Sequence, residues 1–432
     1  MQKINIIGAG LAGSECALYL ANKGYKVNLY DIKGKQMSPA HHSTNFAEIV
    51  CSNSFKSDDD TTASGVFKKE LLLLGSELIK TAYTVKVPAG QALAVDRDEF
   101  SNIITNKLKS NENINIICQN VNEIEKDAIT IIATGPLTTQ EMCNTLKTEL
   151  GEDFFYFYDA AAPIVSAESI DMSKAFFGAR YNKGEADYIN CAMNKEEYAN
   201  FYNELINAES VQLHSFEKNN VFESCMPIEI MAKRGVDSIR FGPLKPVGIT
   251  NPHSENKPYA VVQLRKENNQ GTMYNLVGFQ TNLTFPEQKR VFRLIPGLEN
   301  AEFLRYGVMH TNNFINFPKC LDKYSRIKSN TNVFIAGQLS GVEGYVESIA
   351  SGLYCAINVD RMLNKKELIS FSADTIIGGL YNYLENANIN SFQPINANFG
   401  ILNPIKERDK KKRNELYRDR AIKEIQTILQ KF

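Results

Sequence analysis

The chain has 432 residues, 43% hydrophobic and 22% charged, with a formal net charge of −1. That composition excludes a disordered or fibrous protein and leaves length for two or three domains with cores of their own. Near-neutral charge excludes a surface coated in nucleic-acid-binding cations but leaves room for a local basic face. With neither a long apolar run nor a charged-then-apolar leader, the sequence predicts a cytoplasmic protein without membrane contact.

In chain order, Lys3 to Ile7 reads as a strand, Ala12 to Asn22 as an amphipathic helix and Lys26 to Tyr30 as a second strand. This is one βαβ unit, and the turn inside it is Gly8-Ala9-Gly10-Leu11-Ala12-Gly13. Glycines there let the backbone turn sharply and approach a pyrophosphate at a helix N-terminus, while Asp31 ends the second strand where a ribose-binding carboxylate belongs. The segment from Pro39 to Ser54 follows, carrying Cys51 with His41 and His42 upstream. A second apolar strand, from Ala128, ends in Thr134 and Gly135. A third, from Asn332, runs into Gly337, Gln338, Gly341 and Gly344 and then a helix from Val346 to Leu363.

Three strand-to-glycine junctions so far apart predict one nucleotide-binding domain, residues 1–155 and 331–432, interrupted by an insertion domain, residues 156–330. The fold class is α/β: a doubly wound, Rossmann-like domain interrupted by an α+β insertion. The first junction alone would serve NAD; the late one favours a flavin, FAD, whose ring needs a returning strand and helix N-terminus. The segment from Ile405 to Phe432 reads as a basic-leaning helix, equally a solvated face or an RNA contact. No long apolar heptad appears, which predicts a monomer.

The eight cysteines form no CxxC pair, so no metal site and no disulfide framework is expected. Cys16, Cys118, Cys143 and Cys355 read as small buried hydrophobes. Cys51 and Cys225 read as reactive thiols. Cys225 lies among Glu223, Glu229, Lys233, Arg234, Arg240 and Lys245, and Cys51 has the two histidines as sources of the positive charge that favours a thiolate.

These segments, together with Val87 to Arg97, Arg180 to Glu185, Phe222 to Gly248, Val261 to Arg265 and Ala336 to Gly352, resemble the folate- and FAD-dependent RNA (uracil-5-)-methyltransferases of the TrmFO family along nearly the whole chain. The resemblance implies methylation of uridine C5 with 5,10-methylenetetrahydrofolate as carbon donor, reduced FAD as reductant and NAD(P)H to regenerate it. It implies catalytic roles for Cys51 and Cys225, one adding to uracil C6 and the other acting as the base that removes the C5 proton, with the assignment open. It places His310 and Gln338 near the folate or flavin ring and Gly337, Gly341 and Gly344 against the cofactor. Phe222 or Tyr345 would stack on an extruded uridine. Asp96 and Arg97 would be cofactor contacts or a buried ion pair. The RNA would be the tRNA T loop at position 54 or, on the alternative, a 23S rRNA uridine; a flavin-binding RNA-associated protein or oxidase without methyl transfer is the rival from another class.

Overall fold

The computed structural model describes residues 2–38, 40–151, 155–182, 185–211 and 226–430. Its main sheet has six strands in the order Arg326–Ile327, Asn330–Ile335, Ile129–Ile132, Ile4–Ile7, Val27–Asp31 and Ile114–Cys118. All neighbours are parallel except the first two, which form a hairpin. The strand Ile4–Ile7 is buried along its length and Ile129–Ile132 likewise, as the inner strands of a parallel sheet must be. Strand order reverses at Ile4–Ile7, with the chain's second strand on one side and Ile129–Ile132 on the other. The three glycine junctions, far apart in sequence, are therefore the C-terminal ends of three adjacent strands, at the switch point where open α/β sheets bind ligands.

Two glycines are required by packing. A Cβ at Gly13 would lie 1.8 Å from the Gly8 carbonyl oxygen, so helix Leu11–Asn22 could not sit on its strand. A Cβ at Gly352 would lie 2.1 Å from the Ala12 carbonyl oxygen; that glycine lets helix Tyr345–Leu363 pack against the first helix.

The excursion between Asp31 and Ile114 carries a small sheet (Ser54–Ser57, Lys86–Val87, Ala92–Val95) and helices Ala63–Leu73, Glu77–Thr84 and Arg97–Ser110. Two of the helix starts in this domain are capped from afar. Glu15, fully buried, accepts from the Glu77 and Leu78 amides and from the Ser76 hydroxyl. Glu70, also fully buried, accepts from the amides of Ile376 and Ile377 at the start of helix Ile376–Asn386. Each carboxyl group lies at the start of a helix and satisfies amides that have no intrahelical partner.

A second sheet, antiparallel throughout, has the order Ala175–Gly178, Tyr188–Met193, Ala260–Lys266, Met273–Leu276, Ile164–Ser166 and Phe303–Arg305. It has its own apolar core, spanning Ala162 to Ala301. The chain enters this region along strand Phe155–Ala160 and leaves along Met309–Phe314, and the two are paired to each other. Phe314, Ile315, Phe317, Leu321 and Ile327 already belong to the first core, so by packing the return to the first domain comes before the boundary expected at 330. Cys16, Cys143 and Cys355 are buried as expected, whereas Cys118 is exposed, because its strand is the sheet's edge. No described helix is long and apolar enough to cross a membrane.

Candidate active site

A cavity of about 450 Å³ opens at the switch point. Gly8, Ala9, Gly10, Leu11, Ala12, Asp31, Thr134, Gly135, Gly337, Gln338 and Gly344 line it, and so does Cys51. Gly13 and Gly341 do not. Gly13 serves the packing described above, and Gly341 ends a short turn at φ 91° with the Phe392 ring pressed against it.

The floor is set by hydrogen bonds that the sequence dictates. The Asp31 carboxylate accepts from the Ala9 amide at 2.6 Å and the Lys33 amide at 2.8 Å, so it holds the glycine turn as well as facing the cavity. Gly8, at φ 101°, occupies a conformation that suits glycine, and a Cβ there would meet the Ala133 carbonyl at 2.4 Å. Gly10 differs. Its backbone is extended, at φ −73° and ψ −164°, and a Cβ would meet no protein atom within 4 Å. Neither conformation nor internal packing demands glycine at this position, and its bare backbone leaves room for a group from outside the chain to lie close against it. The helix that begins at Leu11 has no side-chain cap and no acidic residue in its first turn, so its positive end is left to an external anion. These features fit a dinucleotide pyrophosphate.

Cys51 stands at the edge of this cavity under two controls that sequence reasoning missed. The Tyr345 hydroxyl accepts from the Cys51 amide at 2.8 Å and the Ser52 amide at 3.1 Å, and lies 2.9 Å from Cys51 Sγ. Both oxygen lone pairs being taken by amides, the hydroxyl proton is directed at the sulfur. Burial pushes the Tyr345 hydroxyl well above its ordinary range, so it stays a donor. Tyr345 thus holds the thiol, with its ring against Phe55, and is itself part of the cavity lining. The second control is Arg97, which donates to the carbonyls of Ile49 and Val50 and to the Glu267 carboxylate at 2.9 Å. Its charge is close enough to interact with Cys51.

Of the two readings for Asp96 and Arg97, the ion pair holds for Arg97, with Glu267 as partner. Asp96 instead caps helix Arg97–Ser110 and accepts from the Asn269 amide. The histidines do not supply the positive charge expected of them. Burial and neighbouring Lys33 bring His41 down to about 4, and burial with Arg305 lowers His42, so both are neutral near pH 7. The only sequence signals for the true partners were the adjacency of Tyr345 to Gly344 and of Arg97 to a capping aspartate.

The insertion domain closes this side of the cavity. Gln280 reaches the lining. Asn53, fully buried, accepts from Arg265 Nε at 2.9 Å and donates to the carbonyls of Val95 and Lys266, tying the Cys51 loop to the second sheet. Cys225 and Phe222 lie outside the described residues, and of His310 only the backbone, in strand Met309–Phe314, is described. Gln338 donates to the Glu343 carboxylate within the cavity wall. Among the described residues no cluster of three or more His, Cys, Asp or Glu could hold a metal ion.

Comparison with known proteins agrees with this architecture. The family model described as glucose inhibited division protein A, GIDA, matches residues 3–367. A protein of Acetivibrio thermocellus named methylenetetrahydrofolate--tRNA-(uracil-5-)-methyltransferase TrmFO is 54% identical over 431 residues, covering 99% of each chain. The Bacillus subtilis protein of the same name is 52% identical over 429 residues, covering 99% of this chain and 98% of its own. The crystal structure of Aquifex aeolicus GidA shares the fold, with a TM-score of 0.71 at 17% identity over 99% of this chain and 73% of that one. With the glycine-lined cavity, the interrupted sheet and full-length identity above one half all in agreement, the chain belongs to the GidA family and, within it, to the TrmFO group.

Proposed function

We propose that the protein methylates uridine C5 in tRNA, at position 54 of the T loop, with FAD in the switch-point cavity, 5,10-methylenetetrahydrofolate as carbon donor and NAD(P)H as the source of electrons. The observation that carries this reading is the thiol of Cys51 in the lining of the glycine-rich switch-point cavity, gripped by a tyrosine hydroxyl and near the largely buried arginine Arg97. The names of the relatives, all methylenetetrahydrofolate--tRNA-(uracil-5-)-methyltransferases, support the substrates.

The glycine turn and the amides at the start of helix Leu11–Asn22 would hold the pyrophosphate, and Asp31 the ribose. Thr134, Gly135, Gly337, Gln338 and Gly344 would pack along the rest of the cofactor. Bound and reduced FAD supplies the electrons that take the transferred carbon to the methyl level. Uridine C5 is a weak nucleophile until a thiolate adds to C6, and the reaction ends with loss of the C5 proton and release of the thiol. Cys51 and Cys225 divide these duties. The Tyr345 proton and the Arg97 charge favour thiolate at Cys51, since a hydrogen bond to the charged form lowers a pKa.

Purified protein incubated with unmodified tRNA, labelled methylenetetrahydrofolate and NADPH should place label in 5-methyluridine, and Cys51→Ala should abolish it. Label in 23S rRNA and none in tRNA would reject the tRNA assignment; full activity of Cys51→Ala would reject the thiol mechanism.

A further inference from the structure

Tyr181 is held in a conformation that costs free energy and leaves its ring in water. Its backbone is left-handed, at φ 58° and ψ 22°, which is rare for a bulky side chain. The residue is 62% exposed. Strain of this kind persists only where neighbours enforce it, and here three contacts do. The Tyr181 amide donates to the Gly248 carbonyl at 2.7 Å. Arg180 Nη1 donates to the Val247 carbonyl at 2.8 Å, and its Nε to Gln263 Oε1 at 3.1 Å. Gly248 lies flat under the ring, and a Cβ there would stand 3.0 Å from two ring carbons. The backbone carrying this exposed ring is thus held in place, with Gly248 close against the ring, so less freedom is left to lose when something stacks on it.

Its place in the fold says what that something is. In strand Ala260–Lys266, Val262 and Leu264 face the domain's core, so Val261, Gln263 and Arg265 share the opposite face. Arg265 meets Asn53 of the Cys51 loop at the domain seam; Gln263, one step along the same face, meets Arg180. Tyr181 therefore stands beyond the seam on the face that leads to Cys51. Exposed Lys245 is on the segment that supports it, and Arg180 is itself part of the mount. A rigid aromatic face with cations beside it suits a nucleic-acid base with its phosphate.

Resting on the proposed RNA substrate, we infer that Tyr181 is a stacking platform for an unpaired base of the RNA next to the target uridine. The test compares Tyr181→Gly, Tyr181→Phe and the native protein, each loaded with FAD, for unmodified-tRNA Kd, thermal stability and rate of flavin reduction by NADPH. Glycine removes the ring and also relieves the positive φ. We expect RNA binding weaker by about ten- to a hundred-fold, from the usual contribution of one base stacked on an aromatic. Melting temperature should hold or rise, flavin reduction should not change, and phenylalanine should restore binding. Unchanged RNA affinity in Tyr181→Gly would overturn the inference, as would a loss confined to NADPH. If the native protein itself bound no RNA, the functional reading, and this inference with it, would fail; native binding and methylation with an indifferent Tyr181→Gly would remove the inference alone.

Discussion

Gly10→Ala separates a glycine kept for a ligand from one kept for the fold. At Gly10 an alanine adopts the existing backbone without strain, and its methyl meets no protein atom within 4 Å. Stability should therefore move by no more than about 0.5 kcal/mol, and toward greater stability if anything, because alanine restricts the unfolded chain. The methyl would instead occupy the space in which the proposed pyrophosphate would touch the amides at the start of helix Leu11–Asn22. Two hydrogen bonds to a charged group, at about 1.5 kcal/mol each, put the loss near 3 kcal/mol, or roughly a hundred-fold in flavin affinity. Gly13→Ala is the contrast. Its methyl would lie 1.8 Å from the Gly8 carbonyl oxygen, so helix and strand must separate at a cost of about 1–3 kcal/mol or more. Urea denaturation of the flavin-free proteins and titration with FAD followed by flavin fluorescence measure the two quantities independently. A Gly10→Ala protein that binds FAD as tightly as the native one would refute the placement of the pyrophosphate, whatever its stability.

Other consequences can be measured as directly. Tyr345→Phe removes the hydroxyl that lies 2.9 Å from Cys51 Sγ and should raise the pH at which Cys51 is alkylated, because a hydrogen bond to the thiolate is lost; an unchanged alkylation profile would show that the hydroxyl does not tune the thiol. Burial raises Glu15 from 4.5 to about 7 and Glu70 from 4.5 to about 8. Because both folded values lie above the unfolded ones, their contribution to stability is complete below about pH 4.5 and fades as pH rises through about 7 to 8. Urea midpoints should fall from about pH 5 to about pH 8.5, and Glu70→Gln should flatten that decline by up to a few kcal/mol at about 1.4 kcal/mol per pH unit. A slope unaffected by Glu70→Gln would mean that this carboxyl titrates normally.

Much of the nucleotide-binding region was legible because its signals are local. An apolar strand, glycines and an amphipathic helix occur in immediate succession at Gly8 to Gly13, and two further strand ends repeat the theme, so the three junctions could be joined in one sheet before any coordinates. What surrounds Cys51 was not legible, because its partners are 46 and 294 residues away and nothing in either neighbourhood advertises the contact. The nearer histidines read as the obvious source of charge, yet desolvation together with Lys33 beside His41 and Arg305 beside His42 lowers them, and those surroundings exist only in the assembled fold. Cys118 failed for a related reason: an apolar strand reads the same whether it lies inside a sheet or at its edge. The 330 boundary came from the last glycine junction, which marks a site and not where packing changes hands.

The paired strands Phe155–Ala160 and Met309–Phe314 bear on how such a protein could arise. Beyond them the Ala161 amide donates to the Val308 carbonyl at 2.8 Å, so the whole intervening module enters and leaves its host at a single point. A segment whose ends meet can be lengthened, exchanged or redesigned without stretching the sheet that receives it. Under the proposed function the host would keep its cofactor chemistry while the guest carries Tyr181 and Gln280, so that substrate choice and redox chemistry would be free to evolve, or to be engineered, on separate schedules.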